Sequence, residues 1–128
     1  MLAIEIANLT NKKLLCYYMN QYQLPQYVTN LIGPPKGIKG YKEGGMLVND
    51  VRKYPDSIVL FDMADLTNKK VIECLIPIFT NRLLNDASGR KPADFSRTVI
   101  IFTTINRNIL EQNLRINFSN IISFNRFQ

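Results

Sequence analysis

Apolar residues in this chain fall into short runs separated by polar, glycine and proline punctuation, and their spacing alternates between strand-like and helix-like. Leu14 to Tyr18 (LLCYY), Ile58 to Phe61 and Thr98 to Thr103 (TVIIFT) read as short buried strands. The second follows a turn-forming Pro55-Asp56 and stops on Asp62. Uninterrupted apolar runs suit strands covered on both faces, as in a parallel sheet. Leu2 to Leu9 reads as the end of a helix closed by Asn8 and Asn11. Glu43 to Lys53 is helical with Met46, Leu47 and Val51 on one face. Asn68 to Phe79 is an amphipathic helix with Val71, Ile72, Leu75, Ile76 and Phe79 inward, and a short helix lies near Asn108 to Leu114. Gln21 to Asn30 allows a helical turn or two, unsettled by Pro25. Gly33 to Gly40 is a loop by its glycines and prolines, Asn85 to Arg97 is a polar loop, and Ile121 to Phe124 is a last strand. Strands alternating with helices predict an α/β domain, an open parallel sheet with helices on both faces.

Composition bounds the chemistry. The 128 residues, 46% apolar, suffice for one domain with an ordinary core. No apolar run approaches the roughly 20 residues of a membrane span, and Glu5 interrupts the N-terminal apolar stretch, so neither a membrane segment nor a secretion signal is expected. With no histidine and no CxxC, zinc sites and histidine-dependent triads lose their usual groups. Cys16 and Cys74 are expected to be reduced, buried core residues. The net charge of +6 admits a polyanionic partner, but the cations are scattered. A basic nucleic-acid-binding α/β domain would need Lys36, Lys39 and Lys42 to share a face with Arg52 and Lys53. Abundant Asn, Ile, Lys, Tyr and Phe, without Trp or His, are what AT-rich codons supply.

Two segments carry chemistry. An acid closing a buried parallel strand, as Asp62 does, sits at the ligand crevice of the sheet and can hold Mg²⁺ beside phosphates. Hydrolysis in that arrangement relies on a second acid in the next place, where this chain has Met63. The other segment is the glycine- and lysine-rich LIGPPKGIKGYKEGG from Leu31 to Gly45.

Four stretches together, YMNQYQLPQYVTNLIGPPKGIKGYKEGG, IVLFDMADLT, RLLNDASGRKPADF and RTVIIFTTIN, run in continuous order from about Tyr18 to Thr104. They resemble the AAA+ module of the Clp unfoldases, particularly the second ATPase domain of ClpA, ClpB and ClpC. The resemblance implies a P-loop NTPase-type sheet in which Ile58 to Phe61 lies between Leu14 to Tyr18 and Thr98 to Thr103. It implies ATP and Mg²⁺ as cofactors, other AAA+ subunits in a hexameric ring, unfolded proteins as substrates, and a Clp protease as a further candidate partner. On the matching positions, Asp62 is the Walker B aspartate that fixes Mg²⁺–ATP. Met63 replaces the glutamate that polarises water; a thioether is a weak acceptor and no base. Asp65 is a poor substitute, because the family already carries an acid there. Thr104 and Asn106 fall at the γ-phosphate sensor, with Ile105 in the asparagine's own place. Lys36, Gly37, Ile38, Lys39, Gly40 and Tyr41 match the pore loop that grips substrate, with Ile38 where the family has tyrosine. Arg115 and Asn117 fall near the arginine-finger position.

The family's Walker A loop has no counterpart, since no GxxxxGK[ST] occurs in these residues. The expectation for residues 1–128 is therefore a partial AAA+ domain lacking the first strand and phosphate loop, either a fragment of a larger Clp protein or a decayed relative. A non-catalytic ring member is the runner-up. The amino-acid bias toward residues with AT-rich codons points to a plastid-like stroma or a bacterial cytoplasm.

Overall fold

The computed structural model describes residues 2–40 and 42–116. Tyr41, Asn117 and the expected strand from Ile121 to Phe124 lie outside the described residues. The three expected strands form one parallel sheet: β1 (Leu14–Tyr18), β2 (Ile58–Asp62) and β5 (Val99–Phe102), in the order β1-β2-β5. Register pairs Leu14 with Ile58 and Ile58 with Val99. β2 is the middle strand, and Ile58, Val59, Leu60 and Phe61 are each 0% exposed. Such a strand must be apolar on both faces, which is why its sequence reads as a run and not an alternation.

Side chains alternate across the sheet, so each face is a separate packing problem. Leu15, Tyr17, Val59, Phe61, Ile100 and Phe102 face the larger core, with Leu31, Leu47, Val51, Leu75, Ile78, Leu110 and Leu114 against them. Those residues come from α2 (Val28–Ile32), α3 (Met46–Lys53), α5 (Ile76–Asn81), α6 (Arg107–Leu114) and the turn before α5. An aromatic row crosses this face. Tyr17 stacks on Phe61 (5.8 Å), Phe61 on Phe102 (5.1 Å), and Phe102 meets Phe79 (5.7 Å). On the other face α1 (Leu2–Thr10) packs against β1 and β2 through small, buried Ala3 and Ala7. No helix among the described residues is long and apolar enough to cross a membrane.

Several local expectations are corrected. The helix expected over Asn68 to Phe79 is two helices, α4 (Lys69–Glu73) and α5 (Ile76–Asn81). Pro77 has no N–H for the Glu73 carbonyl, so the first helix ends there and a second starts. In consequence Val71, Ile72, Leu75 and Ile78 are buried, while Ile76 and Phe79 are half-buried. In α3 the buried positions are Leu47, Val48 and Val51, and Met46 is exposed because it opens the helix at the loop. Residues 85–97 are not all loop: β3 (Leu83–Leu84) and β4 (Ala93–Asp94) pair antiparallel, and Phe95 N–H donates to Arg82 C=O (2.8 Å). The turn or two expected over Gln21 to Asn30 is a 3₁₀ turn at Pro25–Tyr27 running into α2. Cys16 and Cys74 are free thiols but only half-buried, since β1 is an edge strand and α4 ends at Cys74.

The loop between α2 and α3 is closed where its two ends touch. A Cβ on Gly45 would stand 2.3 Å from both the Leu31 carbonyl oxygen and the Gly33 nitrogen. Gly33 itself holds φ +88°, where side chains are strained. Gly45→Ala must therefore push backbone from backbone and is expected to cost about 2 kcal/mol or more, against under about 1 kcal/mol for Ala at solvent-facing Lys36. Urea unfolding of the two variants measures the difference.

Candidate functional site

The C-terminal ends of β2 and β5 bring the first group of residues together. By alternation Asp62 and Thr103 emerge on the α1 face, side by side, and the Thr103 hydroxyl donates to Asp62 Oδ1. The same hydroxyl oxygen accepts from Met63 N–H (2.8 Å), and Thr103 C=O accepts from Ala64 N–H (3.0 Å). Thr103 thus ties the chain leaving β2 to the chain leaving β5. Its neighbour Thr104, the residue singled out from sequence, instead accepts from Asn106 N–H (3.0 Å) and shapes the turn into α6. Asn106 caps that helix: Oδ1 accepts from Ile109 N–H (3.2 Å). The sequence-predicted sensor pair is therefore engaged in turn and cap, and Thr103, which sequence reasoning passed over, is the partner of Asp62.

Met63 sits in the left-handed region, φ 57° and ψ 47°, a conformation that costs an unbranched side chain about 1 kcal/mol. The hydrogen bond from its N–H to the Thr103 hydroxyl oxygen holds it there. The side chain is 36% exposed, so the position is accessible but carries no titratable group. Asp65 follows in the turn Ala64–Leu66, and its Oδ1 is buried with no hydrogen-bond partner among the described residues. Across β1, Tyr18 and Cys16 share the face of Asp62. Burial raises the Cys16 thiol, Tyr18 opposes that by hydrogen bonding, and the Asp62 carboxylate adds to it.

No cluster of three or more acidic, cysteine or histidine side chains able to enclose a metal occurs among the described residues. A Mg²⁺ ion is compatible with Asp62 and the Thr103 hydroxyl alone, because Mg²⁺ keeps water and substrate phosphates for most of its ligands. The triphosphate is a different matter: these residues include no glycine-rich cradle with its lysine.

The second group is the loop between α2 and α3. Lys36, Gly37, Ile38 and Lys39 are exposed, Ile38 to 57%, and Gly40 is half-exposed. Gly37 (φ +91°) and Gly40 (φ +90°) turn the tip, and Ile38 N–H donates to Pro35 C=O (3.1 Å). Lys42, beyond the tip, is exposed, Arg52 is paired with Asp86, and Lys53 lies 5.4 Å over the Tyr54 ring. Arg115 pairs with Glu73 (3.7 Å) at the end of α6.

Sequence reasoning also missed Asp86, whose side chain is 0% exposed. Oδ2 meets Arg52 Nη1 at 2.9 Å, while Oδ1 accepts from Ser88 N–H (2.9 Å) and Ser88 Oγ (2.5 Å). Burial alone would raise this carboxyl, but Ser88 and Arg52 together hold it below the ordinary aspartate value. A depressed folded-state pKa means the stabilisation is complete above the unfolded value of about 4 and is lost as pH falls through and below it. Asp86→Asn should cost about 2 kcal/mol at pH 7. It should also flatten the loss of stability between about pH 5 and pH 2. Urea midpoints across that range check both.

The family model described as AAA domain (Cdc48 subfamily) matches residues 1–122. The chain is 38% identical over 95 residues to the chaperone protein ClpB of Meiothermus ruber, covering 74% of this chain and 11% of that one. It is 40% identical over 86 residues to ClpB of Clostridium perfringens, covering 67% and 10% respectively. Its fold is similar to a closed-state cryo-EM reconstruction of Hsp104 with ATPγS and FITC casein: TM-score 0.64 and 26% identity, over 71% of this chain and 16% of that one. The chain thus spans a small part of the length of the relatives it matches.

Proposed function

Because this chain belongs to the AAA domain family, in its Clp-type chaperone branch, we propose that it supplies the Mg²⁺-facing strand and the substrate loop of an ATP-dependent protein-unfolding ring, without a hydrolytic acid of its own. The observation that carries this reading is the end of β2. Asp62 is held by the Thr103 hydroxyl at the sheet's ligand edge, and Met63 occupies the next position in a strained turn. When bound, Mg²⁺–ATP would supply the phosphoryl chemistry. Asp62 would hold the metal, Thr103 would fix the carboxylate's rotamer, and the exposed tip around Ile38 would contact unfolded polypeptide. Other AAA subunits are the expected neighbours, and an amino-acid composition of the kind AT-rich codons supply fits a plastid stroma or a bacterial cytoplasm.

A second reading, a ring subunit kept for assembly and not for turnover, is favoured by two particulars. Met63 has no proton to take or give at neutral pH. Asn106, in the sensor region, has its side-chain oxygen engaged in capping α6.

Both readings predict that the 128-residue chain holds nucleotide poorly. Titration calorimetry with ATP and Mg²⁺ should show no micromolar binding, because one carboxylate cannot replace backbone N–H groups around the phosphates. Micromolar affinity, or turnover that Asp62→Asn abolishes, would overturn the proposal.

A further inference from the structure

Both legs of the Lys36–Gly40 loop are held by one short segment, residues 86–90. On the outgoing leg, the Ile32 carbonyl accepts from Ala87 N–H (3.1 Å). On the return leg, the Lys42 carbonyl accepts from Arg90 Nη2 (3.4 Å). Nη1 of that guanidinium donates to Ser88 Oγ (3.1 Å), which in turn donates to the buried Asp86 Oδ1 (2.5 Å). Gly44 gives the guanidinium room, since a Cβ there would stand 3.4 Å from Nη1 and 3.2 Å from Asn49 Nδ2. The tip lies outside these bonds: Gly37 would have nothing within 4 Å of an added Cβ.

The geometry points to Arg90, itself oriented by Ser88 and Asp86, as a positioning residue for the substrate loop. A planar guanidinium can reach two acceptors at once in a fixed fork, which an ammonium cannot. Here it joins the Ser88 hydroxyl to the Lys42 carbonyl, so the return leg is fixed relative to the buried Asp86 carboxylate while the tip turns on Gly37 and Gly40. The clasp is also in chain continuity with the Asp62 site. Residues 86–90 lie between β3 and β4, and β4 leads through Phe95 and Thr98 into β5, whose end carries Thr103. The substrate role of the tip rests on the function proposed above; the clasp itself rests on the bonds.

The test uses the full 128-residue chain and three readouts: trypsin cleavage at Lys36 and Lys39, amide exchange of Ile58–Phe61, and binding of FITC-labelled casein as the unfolded-protein probe. Arg90→Ala should speed cleavage at the tip about tenfold, the effect of one lost charged hydrogen bond. Exchange in β2 should be unchanged and casein binding weaker. Arg90→Lys should recover only part of the protection. Wild-type cleavage rates in Arg90→Ala, or a rise matched by faster exchange in β2, would overturn the inference. Casein that fails to bind the wild-type chain while the cleavage pattern holds would support the clasp and remove the substrate role of the loop.

Discussion

The structure depends on the double pairing of β2. Its residues Ile58–Phe61 are wholly buried and hydrogen-bonded on both sides, to β1 and β5. A buried backbone polar group left unpaired costs about 1–3 kcal/mol, so each flanking strand is required where it is. The register that satisfies those bonds also stacks Tyr17, Phe61 and Phe102 on one face and sets Asp62 beside Thr103 on the other. One set of backbone bonds therefore builds the core and places Asp62 at the end of the central strand.

The sheet was legible because its strands are apolar on both faces and so stand out as runs. Their order was not in the pattern; it came from the resemblance to Clp modules, and the structure agrees. What escaped reading was short or depended on distant partners. β3 and β4 have two residues each, too few for a period to register. The importance of Asp86 lies in Arg52, 34 residues away, and nothing local marks one aspartate in a polar loop as a buried ion. Thr103 could have been found by parity alone. Once Phe61 pairs with Phe102, the next residues, Asp62 and Thr103, share a face, and Thr104 does not. The break at Pro77 was visible in the sequence and outweighs the helical spacing around it.

The candidate site divides along the same line. Residues fixed by the sheet, Asp62 and Thr103, keep an arrangement suited to a metal-bound phosphate. Residues outside it offer less: Met63 brings no base, and Asn106 is occupied in capping α6. Lys36–Gly40 keeps its glycine turns and carries an aliphatic tip at Ile38. Met63 follows the buried strand and is partly exposed, so the core packing of β2 does not rest on its side chain.

The most direct measurement is the ATPase rate of a Clp-type ring in which residues 46–104 of this chain replace the matching stretch of every subunit, made with Met63 and with Met63→Glu. Loss of a general base costs about 10²–10⁴-fold, so the Met63 ring should bind Mg²⁺–ATP yet turn over slowly, and Met63→Glu should raise turnover by at least about a hundredfold. Equal rates for the two rings would contradict the account.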